Sequence, residues 1–296
     1  MKEKAILVGP IVAEFGWEIL RVAPHAIFHK LNNPNNKFII LTRRDRFDIY
    51  GSLADKLISL KIDGDGTAYK ANCFRLDGYS NDKYQLMVKR FRQKYEEDYE
   101  IVKHIFPKLK GRDFANKNQF PQKKMKHNFY PRVENELLVN SWIPSDKPII
   151  VLGPRFRNGM PRNWKYWPEL YDMIDSDPYF KKFTIVLCGK RPDYIPDNQN
   201  RFYDINDLNF DNNTSLIGVA IEIIRRAKIC CGSQSGIPNL SNLLKTPTIQ
   251  WGHQEFLHTK KYNIYNTPTY FLQCNSKKHF NAISPQAVFK ELKLRT

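Results

Sequence analysis

The sequence predicts an α/β chain built as two Rossmann-like domains facing a cleft. Two observations carry this. Short, continuous apolar runs alternate with longer helical patterns, which is the signature of strand–helix–strand units around parallel sheets. The pattern also begins twice, at "KAILVG" (4–9) and at "KPIIVLGPRFR" (147–157), with a junction expected near residue 140.

In the first half, "KAILVG" reads as a strand and "WEILRVAPHAIFHKLN" as a helix that Pro24 kinks or splits. "KFIILTRRD" (37–45) reads as a second buried strand, because an unbroken apolar run suits a sheet covered on both faces. "DIYGSLADKLISL" reads as helical, and "NDKYQLMVKRFRQKYEEDYEIVKHIF" (81–106) as one long polar helix ended by Pro107. Residues 108–132 are polar and basic, with Phe114, Phe120, Phe129 and Tyr130 among the charges. This stretch is either a loop that meets an anionic partner or one whose aromatics dock on the core.

The second half runs strand (147–157), helix "WPELYDMIDS", strand "FTIVLCG" (183–189), helix "SLIGVAIEIIRRA" (215–227) and strand "KICCG" (228–232). A helix from about Gly236, "IPNLSNLL", leads to the strand "PTIQWG" (247–252). "SPQAVFKELK" closes the chain as a helix whose Ser-Pro start matches a capped first turn. The expected domains are 1–140, containing the basic loop 108–132, and 147–283, followed by a terminal helix over 284–296.

Composition narrows the class. A chain of 296 residues with 42% hydrophobic content folds as one large domain or two ordinary ones. No apolar run reaches the roughly 18 residues of a membrane-spanning helix. The N-terminus lacks the shape of a signal peptide, and the five cysteines show no zinc spacing. A cytoplasmic protein with reduced thiols is expected. Lys plus Arg outnumber Asp plus Glu by 47 to 30, for a net charge of +17. Such a balance suits a polyanionic partner, or simply solubility.

Three segments end at the carboxyl edge of the expected second sheet, where open parallel sheets bind ligands. "GPRFRNGMPRNWKYWPEL" supplies Arg155, Arg157 and Arg162, whose guanidinium groups suit phosphate. The same arginines also fit a solvated basic loop. "IVLCGKRPD" is the second segment. In the third, "GSQSG" (232–236) opens a helix, so Ser233, Gln234, Ser235 and Gly236 form either an anion site at a helix N-terminus or a plain capped turn.

Taken together, "RNWKYWPEL", "IVLCGK" and "SQSGIPNLSNLLKTPTIQWG" resemble the GT-B glycosyltransferases, in particular the heptosyltransferase-like group. The resemblance covers residues 147–255 well and 4–25 moderately. It implies a nucleotide-sugar donor in the C-terminal domain and an acceptor in the N-terminal one. It implies that Arg162 holds donor phosphates and that residues 233–236 form the phosphate site at the helix start. Gln234 stands where the family turn has Asp, and "IPNLSN" replaces a His-containing helix start.

The resemblance also gives meaning to "GPIVAEFGWEILRVAP" (9–24), where the family places an acidic residue facing the cleft. Glu14 is the candidate base that takes the acceptor hydroxyl's proton. Phe15, Gly16, Trp17 and Glu18 would line the acceptor side, with Glu18 one turn into the helix. The alternative is a structural corner. "DGDG" (63–66) is an Asp-x-Asp pattern that a turn explains as well. His25 and His29 lack a third ligand, so no metal site and no cofactor beyond the donor is expected. His253 and His258 follow the "IQWG" strand, near the expected donor. The acceptor is expected to be a hydroxylated base in DNA, with a lipopolysaccharide or surface-polysaccharide precursor as the alternative. The rival of another class is a non-catalytic nucleic-acid-binding protein on a degenerate transferase fold.

Overall fold

Every strand pairing among the described residues is parallel, in two separate sheets. The computed structural model describes residues 2–12, 15–60, 81–106, 129–144, 146–155, 163–189, 201–211, 213–253, 263, 265–274 and 280–296. The chain divides into two units, Met1–Tyr130 and Pro131–Thr296.

The first unit is built on four strands: β1 (Glu3–Val8), β2 (Lys37–Thr42), β3 (Lys56–Ser59) and β4 (Tyr99–Ile105), in the order β3-β2-β1-β4. Ala5, Leu7 and Ile39 face Phe91 and Tyr95 of helix α4 (Asn81–Glu96). By strand alternation, the buried Ile6, Val8, Phe38 and Ile40 point to the other face.

The segment after β1 begins with a helical turn, α1 (Phe15–Trp17). It widens to a π-helical turn over Glu18–Val22 and continues as α2 (Ala23–Asn32). Pro24 falls in the first turn of α2, directly after the π-helical turn, so the helical run continues across it.

Two helical expectations for this unit are corrected. "DIYGSLADKLISL" holds only a short turn, α3 (Phe47–Tyr50), and then the strand β3. The 81–106 segment is α4 followed by β4, not one helix. Both strands are half-exposed edges, so neither has the solid apolar run that marks a central strand.

The second unit begins with α5 (Val133–Trp142), ahead of the junction expected near residue 140. The helix is tied to this unit: Asn135 Oδ1 accepts from Ser215 N at 2.9 Å, and Arg226 Nη1 donates to Asn140 Oδ1 at 2.6 Å. The sheet contains β5 (Ile149–Gly153), β6 (Thr184–Leu187), β7 (Phe202–Asp204), β8 (Ala227–Ser233), β9 (Thr248–His253) and β10 (Thr269–Cys274). Read from β7 to β10, the order is β7-β6-β5-β8-β9-β10, the doubly wound arrangement with its reversal between β5 and β8.

One face carries an aromatic core around Trp164, Trp167, Tyr171, Phe180, Phe202 and Trp251, against helices α6 (Trp167–Ser176) and α9 (Pro285–Arg295). Burying a phenylalanine side chain of this core is worth about 1.5–3 kcal/mol. The other face carries α7 (Leu216–Arg226) and α8 (Gly236–Leu243). Ser215 caps α7 by accepting from Gly218 N at 2.9 Å, and Ser284 caps α9 by accepting from Ala287 N at 3.2 Å. No helix among the described residues is long and apolar enough to cross a membrane.

Candidate functional site

In the second unit the reversal between β5 and β8 gathers the expected donor-site residues. Gly153, at the end of β5, lies opposite Gly232 of β8. A Cβ on Gly232 would sit 2.9 Å from Pro238 Cγ and 3.0 Å from the Gly153 carbonyl oxygen. Glycine there lets the first turn of α8 lie directly on the sheet. The N–H groups of that first turn lack intrahelical partners and point along a positive helix end. Ser235 occupies the cap position without a side-chain capping bond.

Arg155 follows β5 and donates from Nη1 to the Gln234 carbonyl at 3.1 Å. A guanidinium and a helix start are therefore held side by side at the sheet's carboxyl edge. Ser233 differs from its neighbours. It pairs in register with Trp251 and is fully buried, with its hydroxyl unpartnered. Alternation turns it to the face opposite Gly232. Arg157 and Arg162 lie outside the described residues.

In the first unit the chain leaving β1 is stitched to its neighbours. Gly9 N donates to Ile105 O at 2.7 Å, Ile11 N to Leu41 O at 2.9 Å, and the Tyr84 hydroxyl to Pro10 O at 3.1 Å. Gly9 has φ +108°, and a Cβ would meet the Leu41 carbonyl oxygen at 2.2 Å, so only glycine fits. Glu14 lies outside the described residues, as does the side chain of Trp17. Phe15 and Gly16 are half-buried.

Glu18 is buried and engaged. It accepts from the Tyr50 hydroxyl at 2.9 Å and pairs with Arg46 Nε at 3.4 Å. The Arg46 guanidinium also lies over the Phe15 ring, 4.6 Å from its centroid. Burial pushes the Glu18 carboxyl up to about 7, against the opposing pull of Arg46 and Tyr50. Arg46 thus grips the turn at Phe15 and again at Glu18. The sequence reading missed Arg46 and Tyr50. The run "RRDR" right after a buried strand is the signal that could have found Arg46.

Among the described residues no three His, Cys, Asp or Glu side chains come together as a metal site. His25 and His29 lie with ring centroids 4.7 Å apart and their planes tilted by 48°. Burial lowers both to about 4, helped by Lys103 and, for His29, by His25. "DGDG", His258 and the side chain of His253 lie outside what the structure describes.

No protein-family model and no curated protein sequence matches this chain. Solved structures do match in fold. The E. coli ADP-heptose LPS heptosyltransferase II superposes with a TM-score of 0.62 at 11% identity, covering 99% of this chain and 98% of that one. A glycosyl transferase family 9 protein from Veillonella parvula gives 0.63 at 11% identity, covering 99% and 97%. The chain has a GT-B-like fold. E. coli heptosyltransferase WaaC with ADP agrees, with a TM-score of 0.55 at 14% identity and coverage of 99% and 100%. The resemblance carried by "RNWKYWPEL" and "SQSGIPNL" is thus matched at the level of the GT-B-like fold.

Proposed function

We propose that the protein is a glycosyltransferase that moves a sugar from a nucleotide-diphosphate donor to a hydroxyl acceptor, with inversion and without a metal. The observation that carries this reading is the juxtaposition at the β5–β8 reversal. Arg155 and the start of α8 are bound together there through the Gln234 carbonyl.

Sugar transfer breaks the bond between the anomeric carbon and the diphosphate, leaving charge on the phosphate oxygens. Fixed cations and helix N–H groups lower the barrier by meeting that charge as it develops. Arg155 and the α8 start supply them, and Arg157 and Arg162 follow closely in the sequence. Ser235 and Gly236 bring backbone close to the phosphates. On the acceptor side, Glu14 takes the hydroxyl proton as the oxygen attacks the anomeric carbon. Phe15, Gly16 and Trp17 shape that wall, whereas Glu18, expected there too, is buried behind it on Tyr50 and Arg46. The domains then divide the labour, with acceptor in the first and donor in the second.

The acceptor we favour is a lipopolysaccharide or surface-polysaccharide precursor, because several of the matching structures are named as heptosyltransferases, one of them for LPS. A hydroxylated DNA base rests on the charge of +17 and on the basic, aromatic-laced sequence 108–132, as does a non-catalytic nucleic-acid binder.

A thermal-shift screen of uridine-, guanosine-, adenosine- and cytidine-diphosphate sugars tests the donor. One of them should raise the unfolding midpoint. Incubating that donor with glycan and with hydroxymethylated DNA then tests the acceptor. Transfer to DNA alone would overturn the glycan reading, and no stabilisation by any donor would overturn the reading as a whole.

A further inference from the structure

We propose that the side chains of Gln234 and Gln250 form a hydrogen-bonding subsite for the vicinal hydroxyls of a nucleotide-linked sugar or of its ribose. This rests on the donor site proposed above and assigns it a specificity determinant. Gln250 pairs in register with Gly232, so both point to the face on which Pro238 seats α8. Gly252, two residues on, shares that face, and the Gln234 side chain lies against it. A Cβ on Gly252 would be 3.0 Å from Gln234 Oε1. The two amides thus flank the start of α8 on one side of the sheet.

Both amides are buried, with 7% exposure for Gln234 and 0% for Gln250, and all four of their polar atoms lack a hydrogen-bond partner. The adjacent Ser233 hydroxyl and Trp251 Nε1 also lack partners, but alternation turns them to the opposite face, and side chains around α8 on the glutamines' own face are paired. Ser241 bonds Thr248 at 2.6 Å, Asn242 Nδ2 donates to the Pro238 carbonyl at 2.8 Å, and Thr269 donates to Asn242 Oδ1 at 2.6 Å. Folded proteins pair nearly all buried polar groups, so two neighbouring orphan amides need a reason. A ligand that completes them is such a reason.

The chemistry selects the ligand's character. Each amide offers two donor hydrogens and one acceptor oxygen. That oxygen would repel a phosphate, which Arg155 and the helix start already suit. A hydroxyl both donates and accepts, so adjacent hydroxyls can satisfy the oxygen and the nitrogen of an amide at once. A site built to hydrogen-bond a hydroxyl also discriminates strongly against analogues that lack it.

The test uses Gln250→Met and Gln234→Met in the full chain, because methionine keeps the shape and removes the unpaired polar atoms. The thermal midpoint of each free variant should equal or exceed that of the wild type. Affinity for the best-binding nucleotide sugar should fall at least tenfold by calorimetry. Titrating ADP, GDP, UDP and CDP, their 2′-deoxy counterparts and their glucose conjugates separates the sources. If ribose is read, the 2′-deoxy forms lose the same factor and ignore the substitutions. If the transferred sugar is read, only the conjugates respond to them. A lowered midpoint would show the amides paired in the free protein and overturn the proposal, as would wild-type affinity in both variants. Failure of the wild type to bind any of these compounds would instead overturn the donor site itself, and this subsite with it.

Discussion

Arg155 and Gln234 are joined across the reversal of the second sheet, Nη1 to carbonyl oxygen at 3.1 Å, although 79 residues separate them in the chain. The bond fixes a cation beside the first turn of α8. It also ties the loop after β5 to the loop after β8, so whatever binds there meets both.

If Arg155 meets the donor diphosphate, Arg155→Met should weaken nucleotide binding by about 10- to 100-fold, the usual worth of a charge-assisted hydrogen bond. Calorimetry checks this. The midpoint of unfolding of the free protein should change little, because the side chain is only half-buried. Unchanged nucleotide affinity would remove Arg155 from the site.

Gly232→Ala should destabilise the second unit by about 1–3 kcal/mol, the common cost of forcing a methyl group into a packed site. The new Cβ would meet Pro238 at 2.9 Å and the Gly153 carbonyl at 3.0 Å. Denaturant unfolding measures the loss. A variant as stable as the wild type would mean that α8 lies less tightly on the sheet than described.

The first unit carries opposing pH dependences. The Glu18 carboxyl is raised from 4.5 to about 7 by burial, so the folded state holds its proton more tightly. That contribution is fully present below about pH 4.5 and is lost as pH rises through about 7. His25 and His29 are lowered from 6.5 to about 4. Theirs is present above about pH 6.5 and is lost as pH falls through about 4. With two histidines against one glutamate, acidification should destabilise this unit. Glu18→Gln removes the opposing part, so the midpoint of thermal unfolding should depend more steeply on pH between about 5 and 7. An unchanged slope would contradict the ionisation assigned to Glu18.

The strands that the sequence disclosed and those it concealed differ in position. β1, β2, β5, β6, β8 and β9 are all internal to their sheets, and their sequences are mainly apolar because both faces are covered. β3, β4, β7 and β10 are the four edges. β3 and β4 mix polar and apolar residues, and "KLIS" and "YEIVKHI" pass for helix continuations. β7 is three residues long, and β10 is largely half-exposed.

The candidate site divides in a similar way. The start of α8 was legible from small residues before an amphipathic run. The engagement of Glu18 by Arg46 and Tyr50 was not, because it depends on residues about thirty positions away that only the fold brings near. Gln250 carried a local hint, as a lone amide inside the apolar strand "TIQWG".

Turnover by the wild type and by Glu14→Gln tests the central claim most directly. The assay supplies the nucleotide sugar that best stabilises the protein together with a lipopolysaccharide-type acceptor, and follows release of the nucleoside diphosphate. The account predicts transfer by the wild type. It also predicts a loss of at least a hundredfold in Glu14→Gln, the low end of what a general base contributes, with donor affinity retained. Equal turnover in the two proteins would contradict Glu14 as the base, and no turnover in either would contradict the assignment as a glycosyltransferase.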